Sequence, residues 1–456
     1  MKHNVATQSP AVAAMATHWQ LIDDLKGGTS AMRAAGTRYL PKRLLEEQPD
    51  YDARLAVATL YPAFAETVKS LVGRTFAEPL SVNDDVPEWI RTEVVPDIDR
   101  QGRALKVFAR QWFRDGLEYG LTHALVESPV AEGVLTLEDQ RKAGIRPYVI
   151  QINPKRILGW RADAAGKLTQ LRVAFQREED DGEFGTRLVD QVKVYEPGLV
   201  RTFEKDSDGN WVEADPVNLQ FDGIPLVTFY ANRTGLMTAT PPLLELAQLN
   251  AKHWAKQSSN DALVETASVP ILALSGVSES DTIVIGAKHA IKLPKDGRAE
   301  FVEHSGAAIG AGRDALEDLK REMRDAGARL LDPNIGGART ATEAGEDAAR
   351  TNSDLASMVQ DFQDSLAQLL DVVAKWRSEP AGGSVTLHPN LKPGPLVAEN
   401  MKNLNDLNAR GVISDETLFN EAKRLGQISD DVEWEDEQKR LELQGSPPID
   451  DRVPAE

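Results

Sequence analysis

The chain has 456 residues, is 41% hydrophobic and carries a formal net charge of −19, which predicts a folded protein of two or three domains. Because it contains no cysteine and its seven histidines show no paired ligand spacing, a disulfide framework and a thiolate metal site are excluded, and no structural zinc is expected. The negative charge argues against a protein that holds nucleic acid tightly by its phosphates, although DNA could slide through a largely acidic channel with a few basic rings.

The sequence shows no sign of membrane insertion or export. No apolar run approaches the roughly 20 residues of a membrane span, and the N terminus lacks the apolar core of a signal peptide. We therefore expect no membrane partner and assembly in a cytoplasm.

The first glycine-rich stretch, LKGGTSAMRAAGTRYLPKR at residues 25–43, has the composition of a phosphate-binding loop but not its spacing. A P-loop places lysine directly after its second glycine, whereas here Gly28 and Gly36 are too far apart and Lys42 follows a proline. The pattern instead predicts a short helix over residues 30–35 that ends at Gly36.

Helices and then a β region follow. Apolar residues at helical spacing predict one helix from residue 50 to Gly73 and a second over residues 104–119. Residues 121–229 form short runs of β-branched and aromatic residues separated by Gly, Asp, Asn and Pro, which predicts an antiparallel β region with a hairpin turn at DSDGN, residues 206–210.

Two helices then flank a small β island. Residues 242–266 predict a helix with proline in its first turn and a second half that is polar nearly all round. Residues 268–304 contain four short β-type runs, and residues 313–331 predict a second helix with Glu317 and Arg321 as an i,i+4 pair.

The C-terminal third begins with a break at residues 332–339, where Pro333 and two glycines cannot continue a helix. A very long helix is predicted over residues 342–377, which would span about 50 Å. One strand at residues 384–390, two shorter helices separated near residues 409–414, and an acidic tail expected to be disordered from about Gly445 complete the chain.

No residue constellation predicts catalysis. Adjacent acids such as Asp23-Asp24, Asp84-Asp85 and Asp430-Asp431 lie in polar stretches, and neighbours on a helix do not face each other. No G-x-S-x-G nucleophile motif occurs. We expect neither enzymatic activity nor a cofactor; a nucleotidyl transferase or phosphohydrolase that uses the acidic pairs is the alternative.

The order of these elements resembles that of the portal proteins of tailed bacteriophages. The blocks that carry the resemblance extend over about residues 18–434 and look like a portal-like family long catalogued as a domain of unknown function. They are GTSAMRAAGTRYLPK, VKSLVGRTFAEPL, PYVIQINPKRILGWR, IPLVTFYANR, PPLLELAQLNAKHWAKQSSN and MRDAGARLL with RTATEA and TNSDLASMVQ.

The resemblance implies an α+β fold with the portal architecture. The implied parts are an N-terminal arm (1–50), a wing of helices and antiparallel strands (51–236), stem helix 1 (237–267), a small β-rich clip (268–309), stem helix 2 (310–331), a tunnel loop (332–341), a long wing helix (342–378), a C-terminal strand with crown helices (379–445) and a disordered tail (446–456).

The resemblance also implies a function and partners. Portal proteins form a homo-oligomeric ring, typically a dodecamer, at one capsid vertex of the virion. Terminase pumps double-stranded DNA through the ring, the major capsid protein surrounds it, head-to-tail adaptors bind at the clip, and the genome later leaves by the same channel. The alternative is a head-to-tail adaptor or another capsid-associated ring that does not conduct packaged DNA.

Candidate site residues follow from these assignments. Basic side chains on the two stem helices are candidates for collars around DNA: Lys252, Lys256, Lys320, Arg321 and Arg324. Glycines in the tunnel loop would let its backbone bend as DNA passes, and Arg339 would contact phosphate or else pair with Glu343 or Glu346 of a neighbour. The tunnel-loop candidates are Pro333, Asn334, Gly336, Gly337 and Arg339.

Overall fold

The structure, a computed structural model, describes the greater part of the chain. The chain divides into two compact units, Met1–Leu391 and Lys392–Glu456. The described residues are 4–129, 145–214, 216–219, 221–268, 271–275, 297–302, 307–331, 353–391, 404–424, 428 and 432–444.

The N-terminal helix α1 (Pro10–Lys26) packs one face into the core of the first unit. It begins where the Oγ of Ser9 accepts a hydrogen bond from the N–H of Val12 at 3.4 Å, as an N-cap should. The indole N–H of Trp19 donates to the carbonyl oxygen of Tyr119 at 3.1 Å, and the Tyr119 hydroxyl donates to Asp23 at 2.6 Å. A buried aromatic anchor and a hydrogen-bonded tyrosine therefore hold this helix to the body.

The glycine-rich stretch forms the predicted short helix, α2 (Gly28–Ala35), and the backbone turns at Gly36 with φ +53°. The single helix predicted from residue 50 to Gly73 is wrong. The structure has two helices there, α3 (Gln48–Val57) and α4 (Ala63–Thr75). Pro62 stands between them, where it lacks an N–H and disfavours helical backbone at the preceding residue. The helix predicted over residues 104–119 is confirmed as α5 (Leu105–Tyr119).

The region after α5 is antiparallel β structure, as predicted, and it forms two main sheets. After β1 (Ser81–Val82), which precedes α5, the strands are β2 (Leu121–Glu127), β3 (Tyr148–Ile152), β4 (Ile157–Ala162), β5 (Leu168–Asp181), β6 (Gly185–Glu196), β7 (Leu199–Lys205), β8 (Trp211–Glu213), β9 (Val217–Asn218), β10 (Leu226–Tyr230), β11 (Arg233–Gly235) and β12 (Thr238–Ala239). The three-stranded sheet has the order β10-β2-β3, and the six-stranded sheet has the order β4-β5-β6-β7-β8 with β9 beside β7. The hairpin turn at residues 206–210 joins β7 to β8, with Lys205 opposite Trp211.

Two long helices and a further strand pair follow. The helices are α6 (Leu244–Ala267) and α7 (Ala307–Ala328). Between them, β13 (Ile271–Ser275) and β14 (Arg298–Val302) pair in antiparallel register, which confirms the first and last of the four predicted β-type runs. The two middle runs, residues 281–286 and 289–294, lie outside the described residues.

The predicted long helix is shorter than expected. The structure has α8 (Asp354–Lys375) instead. Its N-cap is Ser353, whose backbone is extended with ψ 151°, much as at Ser9, the N-cap of α1, where ψ is 154°. A helix that runs without interruption from residue 342 to 377 is therefore wrong, because a serine that accepts a hydrogen bond from Ala356 starts a new helix. Residues 332–352 lie outside the described part.

Ser353→Ala is expected to lower the free energy of unfolding of the first unit by about 1 kcal/mol, because the N–H of Ala356 loses its acceptor at 3.2 Å. Denaturant unfolding measures the change. The matched control is Ser357→Ala at an exposed position of the same helix, where a change below about 0.5 kcal/mol is expected. Equal losses in the two variants would contradict the cap.

The core of the first unit is centred on an aromatic cluster that joins α5, β10 and α8. The Phe362 ring of α8 lies 4.8 Å from Phe229, 5.2 Å from Phe113 and 5.3 Å from Trp112, measured between ring centroids. All four side chains are fully buried. The helix after Ser353 is thus an integral part of the core. The chain then forms β15 (Val385–Thr386), which pairs with β1.

The second unit is helical in its described residues. Residues 404–409 are helical, and α9 (Asp415–Arg424) follows after a break at residues 410–414, which confirms the two predicted helices and the position of the break. A further helix, α10 (Trp434–Gln444), contacts α9 through the Trp434 and Phe419 rings at 5.3 Å. The predicted disordered tail lies outside the described residues. Taken together, the mixture of helices and antiparallel sheets confirms the α+β class.

Candidate functional site

The two helices that carry the basic candidates, α6 and α7, form an antiparallel pair. Near one end of the pair, the Arg329 guanidinium contacts the Glu245 carboxylate at 2.8 Å. Toward the other end, Gly312 of α7 lies against Asn260 of α6. The strands β13 and β14 connect to this second end. The predicted helix, β island and helix are therefore present as a helical hairpin with a strand pair at its turn.

Two glycines of α7 permit close packing, one against α6 and the other against α4. A Cβ at Gly312 would lie 2.3 Å from Asn260 Oδ1, and a Cβ at Gly327 would lie 2.9 Å from Thr67 of α4. Contacts this short are not tolerated without movement of the neighbour. Glycine costs stability inside a helix. At Gly312 it leaves room for α6, and at Gly327 it leaves room for α4.

Helix α6 buries several polar side chains, most of them before its second half, which was expected to be polar nearly all round. The buried face carries Asn250, His253, Trp254 and Ser258. The Asn250 side chain accepts from the N–H of Phe64 at 3.0 Å and donates to the carbonyl oxygen of Tyr61 at 2.8 Å. It thereby satisfies backbone groups at the start of α4, which explains a polar residue in the interior.

The buried His253 imidazole makes no hydrogen bond with the described residues, although its ring lies 5.4 Å from the Tyr61 ring. Burial lowers the pKa of His253, and the nearby Lys320 ammonium lowers it further. The neutral imidazole is therefore favoured in the folded chain.

Two of the five basic candidates are compensated by neighbours on the same helix. The Lys320 ammonium lies 2.8 Å from the Glu317 carboxylate, and the Arg321 guanidinium lies 2.6 Å from Asp318. Both are i,i+3 pairs, so the predicted i,i+4 pair between Glu317 and Arg321 is wrong. Glu317 and Asp318 are each followed, three residues later in the sequence, by a cation, so each acid has its own partner.

The other three candidates, Lys252, Lys256 and Arg324, are exposed and make no ion pair with any described residue. Lys252 and Lys256 are four residues apart, so they lie on one face of α6. Arg324 lies on the exposed face of α7 and borders a cavity of about 300 Å³ between α4 and α7. The hairpin thus presents three exposed cations that have no ion pair among the described residues, here called uncompensated, in a chain of net charge −19.

The tunnel-loop candidates, Pro333, Asn334, Gly336, Gly337 and Arg339, lie outside the described residues. The chain on either side of them is described, and its two ends lie together. The N–H of Leu355 donates to the carbonyl oxygen of Leu330 at 2.9 Å. The described chain therefore stops and resumes at one place, beside the end of α7.

A buried ion pair that no sequence pattern indicated supports the hairpin. Arg54 of α3 donates from Nε and an Nη to the two carboxylate oxygens of Glu46, both at 2.7 Å. A further Arg54 nitrogen lies 3.4 Å from the Ser258 hydroxyl of α6. Hydrogen bonding to Arg54 lowers the pKa of Glu46 to about 2. No local pattern indicated this pair, because an arginine and a glutamate eight residues apart across a turn have no diagnostic spacing.

The adjacent acids have separate partners. Asp23 contacts Lys155 at 2.7 Å, whereas Asp24 contacts Arg38 at 2.6 Å. Asp85 accepts from the Ser384 hydroxyl at 2.9 Å. The third pair, at residues 430–431, lies outside the described part.

The part of the chain that the structure describes contains no group of three or more His, Asp or Glu residues placed to hold a metal ion. Within the same residues, no helix has the length and apolar character needed to cross a membrane.

Comparison with known proteins bears on the same region. A family model described as a domain of unknown function (DUF4055) matches residues 242–377. That range includes the α6–α7 hairpin, the strand pair at its turn and α8.

Among solved structures, the chain is similar to subunits of gene transfer agent (GTA) particles. A chain in "Neck of empty GTA particle computed with C6 symmetry" has a TM-score of 0.44 at 15% identity, covering 80% of this chain and 90% of that one. A chain in "Virion of native gene transfer agent (GTA) particle" has a TM-score of 0.43 at 13% identity, covering 86% and 98%. No curated protein matches the chain.

Proposed function

We propose that the chain is a portal-type subunit of a tailed-phage-like particle. In this proposal copies of the chain form a ring, and the α6–α7 hairpin faces a channel that conducts double-stranded DNA. The observation that carries the proposal is the hairpin itself: two long antiparallel helices with a strand pair at their turn and three uncompensated cations on an otherwise acidic protein.

The electrostatics of such a channel suit transport better than binding. One exposed Lys or Arg contact with phosphate contributes below about 1 kcal/mol in water. A ring repeats each contact around the DNA, while the acidic charge of the remaining surface opposes tight binding. DNA would thus be centred by weak, exchangeable contacts and could move along the axis.

The remaining parts take the roles that the resemblance implies. The β13–β14 end would be the clip that receives terminase during packaging and a head-to-tail adaptor afterwards. The α4–α5 and β-sheet body would be the wing, next to the major capsid protein. The C-terminal helices would be the crown, and the ring would occupy a capsid vertex of the virion. The proposed role needs no catalytic group and no cofactor, because the motor protein would hydrolyse the nucleotide.

Electron microscopy of the purified chain tests the architecture. The proposal predicts a perforated ring, with the dodecamer as the expected stoichiometry. A ring that binds to capsids already filled with DNA, and that is absent from procapsids before packaging, would identify an adaptor instead. A monomer with metal-dependent turnover of a phosphoester would favour the enzyme alternative.

Replacing the three uncompensated cations tests the channel. Lys252→Gln, Lys256→Gln and Arg324→Gln together are expected to leave ring assembly intact, because these side chains make no ion pair with the described residues. DNA packaging or retention in reconstituted procapsids should fall severalfold, since the ring loses each weak phosphate contact in every subunit. The amount of nuclease-protected DNA per particle measures the effect.

The matched control replaces exposed lysines outside the hairpin, Lys69→Gln with Lys167→Gln, each of which lies 3.7 Å from an acidic partner. Normal packaging is expected for this variant. If the triple variant packages and holds full-length DNA as well as the control does, α6 and α7 do not face the DNA.

A further inference from the structure

The hairpin of β5 and β6 extends well beyond its sheet. We call residues 176–190 the arm. Its six residue pairs run from Gln176 opposite Asp190 to Asp181 opposite Gly185. The neighbouring strands stop earlier: β4 ends its pairing at Val173 of β5, and β7 ends its pairing at Gln191 of β6. The arm is therefore a two-stranded ribbon with both edges open, about 20 Å long at the usual rise per residue.

Such a ribbon has little reason to be stable by itself, because an isolated two-stranded hairpin is marginally stable in water. The arm nevertheless exposes large apolar side chains. Phe184 at its tip is 94% exposed and Leu188 is 65% exposed. The open ribbon and its aromatic tip therefore offer exposed backbone edges and apolar surface to another molecule.

The two faces of the arm differ in charge. On one face Glu179 pairs with Arg187 at 2.9 Å and also contacts Arg177, so this face is largely neutralised. Because side chains alternate along a strand, Glu178 and Asp180 lie on the opposite face, beside Leu188. Neither of these two acids makes an ion pair with any described residue. The second face is thus acidic and apolar.

A complementary surface lies on α5. Lys106, Arg110 and Arg114 follow one another at four-residue spacing, which places them in a line on one face of the helix; we call them the stripe. Lys106 and Arg110 are exposed, and Val107 beside them is 51% exposed. The stripe has no ion pair among the described residues, and Arg110 only approaches the Phe76 ring, at 6.0 Å. From Lys106 to Arg114 the stripe covers about 12 Å of helix, which the arm can follow.

We propose that the arm of one copy of this chain docks on the α5 stripe of the next copy. Glu178 and Asp180 pair with the cations of the stripe, and the apolar side chains of the arm cover Val107. The proposed occupant is a second copy because the same chain bears two exposed surfaces of opposite charge, each with an exposed apolar side chain beside it. A contact between different surfaces of identical copies repeats from copy to copy and closes into a ring when its rotation allows. The inference therefore rests on the ring of the proposed function and adds the contact that builds it.

Charge reversal tests the contact. The arm variant is Glu178→Lys with Asp180→Lys, and the stripe variant is Lys106→Glu with Arg110→Glu. Each variant alone should need about tenfold or more higher concentration for half of the chain to assemble, because like charges then meet across the contact. The control reverses two exposed acids elsewhere, Glu88→Lys with Glu379→Lys, and should assemble as the unmodified chain does. Sedimentation velocity measures assembly, and thermal melts of each variant confirm that it is folded.

The decisive measurement is an equimolar mixture of the arm variant and the stripe variant. A basic arm then meets an acidic stripe and an acidic arm meets a basic stripe, so alternating copies should assemble within about threefold of the unmodified concentration. Recovery in the mixture supports a contact between copies and excludes a different partner protein. Single variants that assemble normally, or a mixture that does not recover, overturn the proposal.

The outcomes also separate this contact from the proposed function. If both single variants form perforated rings at the unmodified concentration, the arm contact is wrong and the portal proposal stands. If the unmodified chain never closes into a ring, but the two variants recover each other's association, the arm contact is right and the portal proposal is wrong. Phe184→Ser provides a second variant without charge change, and it should weaken assembly while leaving the sheet folded.

Discussion

Phe362→Ala is expected to lower the free energy of unfolding of the first unit by about 3–5 kcal/mol. The side chain is fully buried, and the rings of Trp112, Phe113 and Phe229 surround it at 4.8–5.3 Å. These rings lie on α5 and β10, so they cannot all move inward to fill the space that the alanine leaves. The loss of stability therefore has two parts: the hydrophobic free energy that the buried ring contributed, and the cost of the cavity that remains.

Denaturant unfolding of the dilute chain measures this loss. Phe184→Ala is the matched control, because that ring is 94% exposed and its removal should change the unfolding free energy by less than about 0.5 kcal/mol. A loss below about 1 kcal/mol for Phe362→Ala would mean that α8 is not part of the core.

Arg54→Met is expected to cost about 1–3 kcal/mol, because the Glu46 carboxylate loses both of its arginine hydrogen bonds. The Glu46 side chain is only 8% exposed and receives both of its arginine hydrogen bonds at 2.7 Å. Loss of the Arg54 side chain also frees the turn before α3 from Ser258 of α6. The effect should therefore reach the α6–α7 hairpin as well as the turn.

The double variant Arg54→Met with Glu46→Gln serves as the control, since it removes the charge together with its partner. It should recover at least half of the loss. If the double variant is as unstable as Arg54→Met, the cost comes from packing of the arginine and not from the unpaired acid.

The Arg54–Glu46 pair predicts that the free energy of unfolding depends on pH. The pKa of Glu46 is lowered from 4.5 to about 2 in the folded chain, so the unfolded chain binds a proton at a higher pH than the folded chain does. The stabilisation is therefore fully present above about pH 4.5 and is lost as the pH falls toward 2. The double variant should show a shallower loss of stability across that interval.

Predictions that rest on local patterns agree with the structure. Helix α5 ends at Gly120 with a left-handed backbone, as a helix followed by glycine often does. The turn at residues 206–210 joins two strands, and the break at residues 410–414 separates two helices. In each case a few neighbouring residues determine the outcome, so the sequence contains the information in one place.

Two helix boundaries were predicted incorrectly. Leu60 and Phe64 fit one helical stripe, yet Pro62 lies between α3 and α4. The apolar side chains that indicated the long helix, from Leu355 to Val373, all follow Ser353, which caps α8, so they gave no support to the residues before it. Periodicity reports which face is buried, and it does not report whether the backbone between two buried faces remains helical.

The candidate site shows the same division. From the sequence alone, the α+β class, the helix pair around a β island and the cations on that pair could be predicted, because composition and periodicity are properties of short segments. Lys320 and Arg321 pair with acids three residues earlier on the same helix, so local spacing accounts for them. Only the tertiary structure decided that Lys252, Lys256 and Arg324 have no ion pair among the described residues, and that His253 and Asn250 turn inward. The tertiary structure also revealed the Arg54–Glu46 pair. Separately, it revealed the arm and the stripe. Burial, and ion pairing outside a single helix, depend on which segments the fold brings within a few ångströms, and no spacing along the chain encodes that distance.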